Sequence, residues 1–181
     1  MNLLCSERDF ARPRKQPLIT RLQKWNEGES NDEDTVPLLG SIVVCTTVCL
    51  LAQPSATSAF DKLKALSGDW EGTVAWTGKE STKINAHYQV TGSESAVVED
   101  LSNGMTSAYH LDGDDLRMTH FCAAQNQPRL RATAFGPDNS SIRFSFVDIT
   151  NLRSPVAGHV ERFEIRFLAV NHIRAPVPLP C

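Results

Sequence analysis

An all-β fold, an antiparallel up-and-down barrel preceded by a short helix, follows from three features of the chain. From Trp70 onward apolar residues recur at every second position in one segment after another, the period of strands whose alternate side chains point to opposite faces. Turn signals separate those segments at short, even spacing: Asn103-Gly104, Asp112-Gly113-Asp114-Asp115 and Gly136-Pro137-Asp138-Asn139. Ahead of them Phe60, Leu63 and Leu66 fall at helical spacing, and Gly68 stops the helix. A meander this long curls and closes, because closure removes the exposed edges.

Composition narrows the classes. At 181 residues one domain is the default. A net charge of -3 and a pI near 5.9 give no electrostatic footprint for nucleic acid. Five cysteines are present, without a CxxC pair or a Cys/His spacing that would hold zinc. No Gly-rich phosphate loop, GxSxG or HExxH motif occurs, so an α/β enzyme is not indicated and no catalytic residue is assigned.

Taken in order, residues 1–35 are charged and irregular, basic at Arg12-Pro13-Arg14-Lys15 and acidic from Asn26 to Asp34. They are expected to be disordered, or to lie ahead of a true start near Val36. Residues 36–59 form an uncharged apolar run to Ala52, then a small-residue stretch, Gln53-Pro54-Ser55-Ala56-Thr57-Ser58-Ala59. This reads as a signal peptide cleaved after Ala59, giving a secreted or periplasmic protein, with an uncleaved membrane anchor through 36–52 as the alternative.

Residues 60–170 form the expected barrel. Trp70, Gly72, Val74 and Trp76 alternate on the first strand, then Ile84, Ala86, Tyr88 and Val90 on the second. The best-defined hairpin pairs Met105–Leu111 with Leu116–Cys122. With Gly113 and Asp114 as its turn, Leu111 lies opposite Leu116, Tyr109 opposite Met118 and Ser107 opposite His120. The face carrying Tyr109, Met118, His120 and Cys122 is the more apolar and is placed inside; His110, Arg117, Thr119 and Phe121 face out. Further on, Leu130, Ala132 and Ala134 point inward, and such small residues leave room for a ligand. Arg129 and Arg131 fall on the outer, solvated face.

The expected site is therefore a cavity lined by Tyr88, Tyr109, Met118, His120, Leu130 and Phe144, holding a small apolar or amphipathic molecule. Two alternatives stand beside it. His120 could ligate haem or support an enzymatic reaction, although no cofactor is otherwise indicated. Or the barrel has no cavity and serves as a scaffold. Asn126, Gln127 and Pro128 sit in a loop that could gate one mouth, and Asn139-Ser140-Ser141 is a glycosylation sequon. Trp70 is read as a structural plug whose indole N–H meets a backbone carbonyl. Nucleic acid is not expected as a partner, and a membrane only through residues 36–52.

Gly68-Asp69-Trp70 is the Gly-x-Trp that opens the first strand of lipocalin-like (calycin) barrels. Together with Phe60–Gly72, Tyr109–Gly113, Thr119–Arg129 and Phe146–Leu152, it resembles a group of exported bacterial lipocalin-like proteins of unassigned function. The resemblance covers residues 60–170 and implies a signal peptide, one small barrel and structural roles for Gly68 and Trp70; it brings no catalytic residues. At the end the chain departs from that pattern, which has two more strands. Residues 171–181 form a Pro-rich tail expected to be irregular. The C-terminal strands are thus expected to be missing, the barrel open, and Cys181 an accident of the tail rather than half of a disulfide with Cys122.

Overall fold

The structure, a computed structural model, describes residues 7–13, 54–75 and 80–176. The apolar run 36–52, the acidic stretch before it, Trp76 with the turn after it, and the end of the tail lie outside the described residues.

The barrel is closed. Its strands are β1 (Glu7–Ala11), β2 (Gly68–Val74), β3 (Thr82–Thr91), β4 (Ala96–Leu101), β5 (Thr106–Asp112), β6 (Asp115–Phe121), β7 (Gln127–Phe135), β8 (Ser141–Thr150), β9 (Arg162–Ala169) and β10 (His172–Pro176). From β2 to β10 each strand pairs antiparallel with the next, the up-and-down order expected from the turns, and β1 lies between β10 and β2. Alternation places one face of each strand in a common interior: Trp70 and Val74 from β2, Ile84, Ala86 and Tyr88 from β3, Ile142 and Phe144 from β8, Phe163 and Ile165 from β9, all buried. The β5–β6 hairpin has the expected register, with Leu111 opposite Leu116, Tyr109 opposite Met118 and Ser107 opposite His120.

The short helix α1 (Ala56–Lys64) covers one end. Ser55 caps it: its hydroxyl accepts the Ser58 N–H, and the Ser58 side chain returns to the Ser55 N–H. Ala56, Ala59, Phe60 and Leu63 form its buried face. Past the helix, Trp70 Nε1 donates to the Leu66 carbonyl at 2.7 Å, fixing the plug expected at this position. The boundary expected after Ala59 runs through the middle of α1 rather than along its edge. At the other end the 151–161 connection packs on the β6–β7 turn, where Asn126 Nδ2 donates to the Gly158 carbonyl at 3.0 Å and Val160 enters the core.

Two findings depart from the sequence reading. Glu7–Ala11, within the extension read as disordered, form a strand. His172–Pro176, within the tail read as irregular, form another, so the barrel is not left open. The reasons are local. On β10, Ile173 and Ala175 point into the core while His172 and Arg174 point out; the tail's first proline, Pro176, falls only at the strand's last position, where a lost donor does least harm. On β1, Arg8 and Phe10 point inward. Phe10 lies opposite Gly72, and a Cβ at Gly72 would stand 2.3 Å from the Asp9 carbonyl oxygen and 2.5 Å from Phe10 Cδ1. Gly72 is therefore the notch that admits β1. Outside, Asp9 bonds to His172 and, at 3.2 Å, to Arg174 Nη2. Burial alone would raise the Asp9 carboxyl, but these hydrogen bonds and charges overcome it and hold the carboxyl below its ordinary value.

Candidate functional site: a buried polar cluster inside the barrel

Tyr88, Tyr109, Met118, His120, Leu130 and Phe144 do come together inside the barrel. Tyr109 pairs with Met118 across β5 and β6, and Met118 with Leu130 across β6 and β7. The Tyr109 and Phe144 rings lie 5.9 Å apart. None of the six is more than 1 % exposed. A void with room for water would leave accessible surface on the side chains around it, so the interior at this place is filled.

What fills it is not all apolar. Glu99, fully buried, enters from β4, where the alternation of Val97, Glu99 and Leu101 gives it the inward face. Tyr88 from β3 donates its hydroxyl to Glu99 Oε1 at 2.8 Å, and Tyr109 from β5 donates to Oε2 at 3.1 Å. The carboxylate is thus clamped by its two neighbouring strands. Arg8, 1 % exposed, approaches from β1, with Nη1 3.9 Å from Glu99 Oε1. Its guanidinium carbon lies 5.7 Å from the centre of the Phe163 ring and 5.9 Å from that of Phe10, within the range of cation–π attraction.

Beside this group, Glu99, Ser107 and His120 form one row across three strands. Ser107 Oγ and His120 Nδ1 are 3.0 Å apart. Burial pushes the imidazole down to about 4, against the opposing pull of the Glu99 charge, so His120 is neutral near pH 7. Both tyrosines are pushed well above their ordinary value, first by burial and then by the Glu99 charge. The row has serine between acid and imidazole, whereas acyl-transfer triads put the imidazole between serine and acid.

Glu99 and Arg8 were absent from the expected lining. Glu99 was legible, because it sits on the apolar parity of its strand between Val97 and Leu101. Arg8 was not, because its strand carries one large apolar residue, Phe10, and shows no strand pattern by itself.

Other expectations resolve as follows. Cys122 is buried and disulfide-bonded; the remaining cysteines lie outside the described residues. Arg129 makes a two-point pair with Asp148, at 2.5 and 2.6 Å, and Arg131 faces Asp115 at 3.8 Å. Both belong to the outer wall, and Arg129 lines a groove of about 320 Å³ with His110, Thr119 and Val147. Asn139 of the sequon is 4 % exposed and donates to Ser58 Oγ at 2.6 Å, which ties the turn between β7 and β8 to α1 and leaves no room for a glycan. Among the described residues no three metal-ligating side chains converge, and no helix is long and apolar enough to cross a membrane. No protein-family model, no curated protein and no solved structure matches this chain.

Proposed function

We propose that this protein is a binding module that takes a small amphipathic molecule into its barrel, with the polar end at the Glu99–Tyr88–Tyr109 clamp and the apolar part against Met118, Leu130 and Phe144. The observation that carries this reading is the clamp itself. Burying a carboxylate costs several kcal/mol, and an apolar residue of the same volume does as well for stability alone. A barrel wall needs no such group to close. Perturbed ionisable side chains gathered in one interior are where ligand recognition is found. Because the interior is filled at rest, the ligand enters by displacing side chains, not by occupying a standing void.

The same reading includes an extracytoplasmic location, which the Cys122 disulfide supports, since such bonds persist in oxidising compartments. No cofactor enters it. Haem on His120 is the weaker reading, because the imidazole has no exposed surface inside a filled core.

The test is titration of the full chain with a dansyl-labelled alkyl chain, followed by energy transfer from tryptophan. Saturable binding at one site, altered by Glu99→Gln and little changed by the surface substitution Arg129→Gln, is the expected result. Absence of saturation with carboxylate-, hydroxyl- and ammonium-ended chains alike would overturn the reading.

A further inference from the structure

We propose that Arg8 is a built-in stand-in for a cationic ligand: the position its guanidinium holds, beside Glu99 and over the ring of Phe163, accepts the guanidinium or ammonium end of an amphipathic molecule when β1 withdraws. The inference rests on the binding reading above and gives that ligand its charge.

Two halves of the interior differ in how they are built. Glu99 and the hydroxyls that hold it come from β4, β3 and β5, three consecutive strands joined by tight turns, and Phe163 comes from β9. These strands pair with one another in an unbroken series from β2 to β10 that does not pass through β1. Arg8 and Phe10 come from a strand of five residues that follows β2 to β10 in space but precedes them all in sequence. Positions 12–67 separate β1 from β2, so the strand is held by pairing and packing, not by a tight turn. Its pairing to β2 spans four residue pairs and to β10 five. Among the described strands it is the one whose removal leaves every hairpin intact.

When β1 leaves, the clamp does not become neutral ground. A carboxylate accepting two tyrosine hydroxyls, walled by Phe163 and without Arg8, is an anionic slot in an apolar barrel. It disfavours anions and neutral head groups and favours a cation, by charge and by the ring face. His120 does not supply that cation: burial holds it neutral near pH 7. The 3.9 Å contact of Arg8 Nη1 with Glu99 Oε1 is longer than a charge-assisted hydrogen bond. A shorter, freely placed cation can fit better.

The experiment compares the full-length protein with Arg8→Ala and with Arg8→Met, the second keeping the stem's apolar contacts if the first fails to fold. Each is titrated with three dansyl-labelled alkyl chains of equal length, ending in trimethylammonium, hydroxyl or carboxylate. Removing Arg8 is expected to tighten the trimethylammonium chain by about tenfold or more over wild type, to leave the carboxylate chain unimproved, and to lose the gain on adding Glu99→Gln. Equal tightening of all three chains would mean that Arg8 merely occupies space: the cation inference fails while the binding reading stands. No binding of any chain to any variant overturns the binding reading, and this inference with it.

Discussion

Replacing Glu99 by Gln keeps the shape of the clamp and removes its charge. Three losses follow. The Coulomb attraction across 3.9 Å to Arg8 is about 4 kcal/mol at the effective dielectric that suits protein sites. One of the two tyrosine hydroxyls, at 2.8 and 3.1 Å, meets an amide NH2 instead of an acceptor, and the other donates to a neutral oxygen, together about 1–2 kcal/mol. Against these stands the relief of burying one charge fewer, which leaves a net cost of about 3–5 kcal/mol, the usual result of breaking one side of a buried pair. For a domain whose total stability is about 5–15 kcal/mol this is a large shift in the denaturant midpoint, read by tryptophan fluorescence with the slope unchanged. The cycle with Arg8→Met isolates the pair. The double substitution is expected to cost less than the sum of the singles by about 2–3 kcal/mol, because each single removes the same 3.9 Å charge pair. A Glu99→Gln variant within about 1 kcal/mol of wild type, or strict additivity with Arg8→Met, would refute the account of the clamp.

Acidification tests His120. Its folded value is depressed from 6.5 to about 4, so the unfolded chain binds the proton more readily; stability from this group is complete above pH 6.5 and falls by about 3 kcal/mol as pH drops to 4, a slope that His120→Asn should flatten in pH-dependent denaturation. Gly72→Ala places a methyl against the backbone of β1 and is expected to cost about 3 kcal/mol, with faster amide exchange along β1 as the local readout. Trp70→Phe removes the donor to the Leu66 carbonyl and should cost about 2 kcal/mol, measured by thermal melting. Intact-mass spectrometry of the protein as cells release it should show whether Arg8 travels with the barrel; a first residue of Phe60 means that the released form lacks β1.

The consecutive strands were legible because each obeys the two-residue rhythm against a turn of recognisable chemistry. Asp112–Asp115 is the clearest case, since the turn fixed the register and the register fixed which face held Tyr109 and His120. The interior residues were correctly grouped for the same reason. What escaped was the closure. β1 and β10 are short, each has only two inward side chains, and their partners are remote, so their patterns are too brief to stand out from irregular chain. The clue for β1 lay in Gly72, a missing side chain on an inward position that Phe10 fills. The polarity of the site was legible only in part: Glu99 sits on the apolar parity of its strand, whereas Arg8 lies on a strand too short to show a pattern.

That the wall is sealed by a segment encoded far upstream has a consequence for any processing of this chain. A single backbone cut between positions 14 and 53 would convert one polypeptide into a two-piece complex; among the described residues its small piece is held by the ladder to β2 and β10, the buried Arg8 and Phe10, the Asp9–His172–Arg174 contacts and the Arg12 bonds to the Ala65 and Ser67 carbonyls. Loss of that peptide would free two sheet borders and bare the Glu99 carboxylate in one event. On the proposed binding reading, proteolysis, ordinarily a route to destruction, would be the step that opens the site.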